Sequence, residues 1–156
     1  MKIIQTADLT LEQKFLLFDL WNLEYPERIV YSEISEFEVY LKGLMETQHF
    51  LLISECNQIF GWAFVFVREK ENWFGIIVNS KEQGKGFGTL LLEELKREKS
   101  NLNGWVIDHS NDVKRNGELY GSPLDFYLKN GFLVIRNTRL ENNVIFSNFF
   151  SVLNRN

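Results

Sequence analysis

The sequence predicts an α/β (α+β) chain with a mixed, mostly antiparallel central sheet and helices on both faces. Three observations predict it. Apolar runs at 50–53, 59–67 and 73–78 are separated by turns of a few residues, too short for anything but antiparallel pairing. The last of these runs leads through a glycine-rich junction, EQGKGFG at 82–88, into an amphipathic segment, the signature of a strand feeding a helix. Helix-start signals at 10–13, 35–38 and 122–123 place further helices before and after the meander.

The elements follow in order. Residues 3–5 make a short first strand. Thr-Leu-Glu-Gln at 10–13 has the form of a capping box, with Thr10 as N-cap and Gln13 reaching back. Leu11, Phe15 and Phe18 follow at helical spacing, and Pro26 ends that helix after Glu24. A second box, Ser-Glu-Phe-Glu at 35–38, starts a helix whose apolar face is Phe37, Tyr40, Leu41, Leu44 and Met45. Turns are expected at 56–58 and 69–72 between the three apolar strands. The helix after the glycines spans 89–99, with Phe87, Leu91 and Leu95 on its inner face. A strand follows at 105–107, then a polar stretch at 108–121. Ser122 as N-cap and Pro123 at the first helical position begin a short helix that stops at Asn130-Gly131. Two last strands, 132–135 and 144–150, join around 141–143. The order is β-α-α-β-β-β-α-β-α-β-β, and residues 1–156 read as one domain with no repeat or linker.

Composition narrows the function classes. A net charge of −4 speaks against a general nucleic-acid binder, which needs basic surface to displace counterions. The longest apolar run, 59–67, is too short to span a bilayer as a helix, and the first ten residues lack a signal-peptide core, so no membrane partner is expected. Cys56 is the only cysteine, which rules out an intramolecular disulfide and points to a cytoplasmic protein. No metal site is expected. The apolar segment 143–150 suits either the core or pairing with a second copy in a homodimer.

The glycine run holds the chemistry. It is not the phosphate loop of nucleotide hydrolases, because Gly86 follows Gly84-Lys85 where Ser or Thr is required. It is not a dinucleotide fingerprint either, since Gly84, Gly86 and Gly88 give GxGxG rather than GxGxxG. Glycines that merely shape a turn remain one reading. The other takes the whole context: at a strand-to-helix turn the first helical N–H groups point at one spot, and the helix dipole adds positive charge there. Such a spot binds a pyrophosphate, and glycines let it approach the backbone. Lys85 and Lys81 add charge nearby.

Val78 followed by Gln83-Gly84-Lys85-Gly86-Phe87-Gly88 resembles the acyl-CoA-binding motif of the GNAT N-acetyltransferase family. Asp-Phe-Tyr-Leu-Lys-Asn-Gly-Phe at 125–132 resembles a second family segment, the short helix that runs into the next strand. The resemblance covers nearly all of the chain and is weakest in the first seventy residues. It implies the GNAT fold, acetyl-CoA as co-substrate, and direct attack of an amine on the thioester. Ile77, Val78, Gln83, Gly84, Lys85, Gly86, Phe87, Gly88 and Thr89 are then the cofactor-binding residues. A backbone N–H near Val78 would polarise the thioester carbonyl. Tyr127 matches the family's general acid, although a packed aromatic is the plain alternative for it. Relatives often carry a Glu on the strand before the glycine loop. Residues 73–78 have none, so Asp108 and His109 are the candidates for the base, against a role in capping the strand end. His49 reads as structural or exposed. Glu24, Tyr25 and Tyr31 are the candidate acceptor-binding residues; Glu24 attracts an amine or, equally, is a solvated helix end. Lys114 and Arg115 are placed to reach a CoA phosphate. The expected partner is a small-molecule or peptide amine. A non-catalytic acyl-CoA sensor on the same fold is the alternative.

Overall fold

The computed structural model describes residues 1–141 and 146–153. Seven strands form one sheet in the order β1-β2-β3-β4-β5-β7-β6. They are β1 (Lys2–Thr6), β2 (Met45–Ile53), β3 (Ile59–Arg68), β4 (Glu71–Val78), β5 (Asn101–Val106), β6 (Leu133–Glu141) and β7 (Phe146–Leu153). Four helices accompany them: α1 (Leu11–Glu24), α2 (Ile34–Lys42), α3 (Phe87–Glu98) and α4 (Leu124–Lys129). Every neighbouring pair is antiparallel except β4 with β5, as expected of a mixed, mostly antiparallel sheet.

Strand alternation sorts the core into two layers. On one face Leu51, Ile53, Trp62, Phe64, Phe66 and Trp73 pack against α1 and α2. On the other Phe50, Leu52, Ala63, Val65 and Phe74 pack against Leu91, Leu92 and Leu95 of α3 and Tyr127 of α4. The central strands are therefore apolar on both sides, which is why β3 reads as an unbroken aromatic run.

Local signals account for most element ends. The Thr10 capping box forms as expected, with Gln13 N donating to Thr10 Oγ1 at 3.1 Å and Thr10 N to Gln13 Oε1 at 2.9 Å. The β3–β4 turn is tighter than predicted: Glu69 and Lys70 carry it alone, at φ 51° and 65°, the left-handed geometry of a hairpin matched to strand twist. Two caps shift by a residue or more. Ser35 lies inside α2, whose N-cap is Glu33, and its hydroxyl donates to the Glu33 carboxylate at 3.4 Å. Pro123, not Ser122, is the N-cap of α4. Ser122 Oγ instead bridges Ile107 O and Leu124 N, tying the start of α4 to the end of β5.

The face that α1 buries also differs from the expected one. Leu11 and Phe15 are exposed, and Leu17, Leu20 and Trp21 are buried. Apolar residues surround this helix (Phe15, Leu16, Leu17, Phe18, Leu20), so periodicity alone selects no stripe. The join around 142–143 and the start of the predicted strand at 144 lie outside the described residues. β7 pairs with β5 on one side and β6 on the other, so it offers no free edge to a second copy.

His49 is a structural residue. It is buried, and its Nδ1 accepts a hydrogen bond from Trp62 Nε1 at 3.1 Å. Burial lowers its pKa from 6.5 to about 4. The native state thus keeps His49 neutral while the unfolded chain protonates near pH 6.5, so stability is lost as pH falls from 6.5 to 4 and no further below that. The loss from this group is about 3 kcal/mol. Thermal melts across that window should show a steep acid side that flattens in His49→Asn; equal slopes would remove His49 from the acid sensitivity.

Candidate functional site

The parallel pair is where the sheet opens. β4 and β5 share a single registered pair, Trp73 with Asn103. Asn103 pins it there, donating from Nδ2 to Asn72 O at 3.1 Å and to Glu71 at 3.3 Å. Beyond that point the strands diverge, and two cavities of about 590 and 560 Å³ meet in the gap. Tyr25, Ile76, Tyr120, Pro123 and Tyr127 line both, so the two cavities adjoin at the gap.

The glycine loop walls the first cavity. Gly84 and Gly86 stand at φ 78° and 86°, the left-handed region that favours glycine, and a Cβ on either would meet nothing within 4 Å. The backbone bends sharply there and faces open space. Gly88 differs: its Cβ would press on the Phe126 ring at 3.3 Å, so it is small in order to seat α4. Gly86 is the N-cap of α3. From Gly84 to Thr89 no described acceptor takes a backbone N–H. Unpartnered amides at a helix N-terminus, with open space at Gly84 and Gly86, fit a diphosphate. Gln83 stiffens the loop by donating from Nε2 to Val78 O at 2.9 Å.

Tyr127 sits at the junction, buried between Phe74, Phe126 and Phe132 with ring centroids 5.8, 5.1 and 5.3 Å away. Burial, with a smaller contribution from Tyr120, raises its pKa well above the usual phenol value. A phenol is protonated at neutral pH even at its usual pKa, and burial makes this one a weaker acid, so its place in the cavity wall and not its pKa makes it a candidate donor.

Glu24, the last residue of α1, is the carboxylate of this cleft. It is 5% exposed, and neither side-chain oxygen has a hydrogen-bond partner among the described residues. A bare buried carboxylate is costly, and its nearest compensation is Lys114 Nζ at 3.8 Å. Lys114, expected to reach outward for a phosphate, instead turns in. The 108–121 stretch is clipped onto the end of α1 by Glu27 N to Val113 O at 2.9 Å and by Arg28 with Asp112 at 2.7 Å.

Tyr25 lines both cavities, and burial raises its pKa well above the usual value. Tyr31 lines only the second, with a pKa raised to about 12 by burial and then by Glu36. Asn22 fixes that wall: its side chain both donates to Tyr31 O at 2.9 Å and accepts from Tyr31 N at 3.0 Å.

The structure thus brings together Glu24, Tyr25, Ile77, Val78, Gln83, Gly84, Gly86, Phe87, Gly88, Thr89 and Tyr127 around the first cavity. Lys85 is not among its walls; it is exposed and paired with Glu82 at 2.9 Å. Asp108 and His109 line neither cavity. His109 accepts from Asn111 N at 3.2 Å on Nδ1 and faces Asp112 at 4.0 Å on Nε2. Tyr120 was not foreseen, and burial raises its pKa too, with Asp112 and Glu24 adding to the rise. Its sequence signal is faint: an aromatic at the end of an unusually long polar loop, just before Ser122-Pro123.

Similarities to known proteins agree with this geometry. A family model for the acetyltransferase (GNAT) domain matches residues 46–134, more than half of the chain. No curated protein sequence matches. Among solved structures, an aminoglycoside 6'-N-acetyltransferase complexed with coenzyme A is similar in fold, with TM-score 0.74 at 17% identity over 100% of this chain and 98% of the other. A ribosomal-protein-alanine N-acetyltransferase from Brucella melitensis gives 0.65 at 15% identity, covering 98% and 99%. A spermidine N-acetyltransferase mutant from Vibrio cholerae gives 0.64 at 16%, covering 99% and 95%. With the β4–β5 splay and its glycine cradle in place, the matched domain identifies the chain as a member of the GNAT acetyltransferase family.

Proposed function

We propose that the protein is an acetyl-CoA-dependent N-acetyltransferase that moves an acetyl group onto a primary amine of a small molecule or peptide by direct attack. One observation carries the reading: the glycine loop with its unpartnered amides and Tyr127 line the same cavity, with Glu24 in its wall. Bound acetyl-CoA supplies the thioester whose carbonyl carbon accepts the amine.

The chain's residues divide the work. Amides 84–89 hold the diphosphate, and Ile77 and Val78 border the pantetheine arm, with a backbone N–H near Val78 polarising the carbonyl. Glu24 attracts the incoming ammonium and takes the proton it must shed. We place the base there rather than at Asp108–His109 because Glu24 is among the residues that line the cavity and the other two are not. As the C–N bond forms and the C–S bond breaks, Tyr127 gives its proton to the departing thiolate. Tyr25 and Tyr31 wall the approach of the acceptor. We place the enzyme in the cytoplasm, where the exposed lone Cys56 stays reduced. No helix among the described residues is long and apolar enough to cross a membrane.

Lys114 beside Glu24 favours a second reading, since its ammonium competes with an incoming amine for the carboxylate. That reading is a non-catalytic acyl-CoA sensor. Incubation with acetyl-CoA and a panel of primary amines, following free thiol, separates the two. Turnover supports the enzyme; cofactor binding without turnover on any amine supports the sensor. In Glu24→Gln, kcat/KM is expected to drop about 100-fold with acetyl-CoA affinity retained, the usual scale for removing a base. Unchanged kcat/KM would take Glu24 out of the mechanism.

A further inference from the structure

We propose that the acceptor is a primary monoamine carried on a planar aromatic scaffold and that polyamines are disfavoured; this rests on the acetyl-transfer reading above. The second cavity is the acceptor's side of the gap, because the glycine loop lines only the first. Its floor is flat and aromatic. Phe64, Phe66 and Arg68 alternate along β3 on one face and run outward from the splay. Four residue steps of strand give it a length of about 13 Å. At its inner end the Phe64 ring lies across Gly75, where a Cβ would come within 2.7 Å of the ring. Trp73 stacks on Trp105 at 5.8 Å and 19° along the side. Tyr31 and Tyr40 also line the cavity. Flat faces in such an arrangement select a ring over a flexible chain.

The charges point the same way. Aromatic faces also attract cations, but here a resident cation beside them repels a further positive charge. The Arg68 guanidinium already lies over two of them, 5.1 Å from the Phe66 centroid and 6.0 Å from that of Trp73. Among the described residues it has no carboxylate within ion-pair distance. Arg28 adds a second positive charge, already bound to Asp112. Glu36 is the cavity's one acid, and it is exposed. An acceptor with several ammonium groups would place the surplus charges against guanidinium. A monoamine sends its single charge past the shared residues toward Glu24 of the first cavity and leaves a neutral ring in the slot.

The test measures binding and turnover separately. Tryptamine, 2-phenylethylamine, spermidine and kanamycin are titrated calorimetrically into the protein–CoA complex, and each is then assayed for thiol release with acetyl-CoA. Tryptamine should bind at least about tenfold more tightly than spermidine, and Arg68→Glu, an exposed change, should narrow that ratio about tenfold by reversing the charge at the cavity rim. Tighter binding of spermidine or kanamycin than of tryptamine, or a ratio indifferent to Arg68→Glu, overturns the assignment. Tryptamine bound without thiol release supports this ligand class and overturns the transfer reading. Thiol release with spermidine but not with tryptamine does the reverse.

Discussion

Tyr127→Phe should lower turnover about 100-fold while leaving acetyl-CoA affinity within about twofold, the loss expected when a positioned acid is removed. The substitution is chosen for what it keeps. Phenylalanine fills the same space among Phe74, Phe126 and Phe132, so the buried ring cluster and the start of α4 survive. Only the hydroxyl goes. At neutral pH the wild-type phenol carries a proton to give, and Phe has none. A fall in kcat with an unchanged melting temperature assigns the effect to chemistry. Turnover within about twofold of wild type would leave Tyr127 as a packing residue, since general acids contribute far more than that.

Gly86→Val should weaken acetyl-CoA binding by at least about 100-fold, the equivalent of losing two or more hydrogen bonds to a charged group. Two effects act together. The left-handed backbone at φ 86° costs a side-chain-bearing residue roughly 1–3 kcal/mol. The new side chain also projects into the open space where the diphosphate is proposed to lie. Gly117→Val separates them. Gly117 has φ 87° and nothing within 4 Å, yet it lies in the 108–121 stretch and lines neither cavity. It carries the backbone cost alone and should leave acetyl-CoA affinity unchanged. Calorimetry on both variants decides the matter: equal affinities in Gly86→Val and wild type would refute the cradle.

How much of this was legible in the sequence depends on the range of the signal. The glycine turn and α3 are readable because turn geometry and helix initiation are local. The Thr10 box and the Asn130-Gly131 stop formed as read for the same reason. The buried face of α1 was not readable, since a helix apolar nearly all round is oriented by its neighbours. Glu24 was picked out as an amine-attracting residue. Its burial was hidden, because that depends on a loop some ninety residues later folding back onto Glu27 and Arg28. Lys114 was misjudged for the same reason. Asp108 and His109 were chosen from their place after β5, but strand position says nothing about which way the following loop turns. Here it turns His109 toward Asp112. Non-local pairing is the common factor.

A crystal structure with acetyl-CoA tests the central claim most directly. The account predicts the diphosphate within hydrogen-bond distance of the amides between Gly84 and Thr89, with the thioester in the β4–β5 gap beside the Tyr127 hydroxyl. A diphosphate bound elsewhere, or an acyl group out of reach of that hydroxyl, would contradict it.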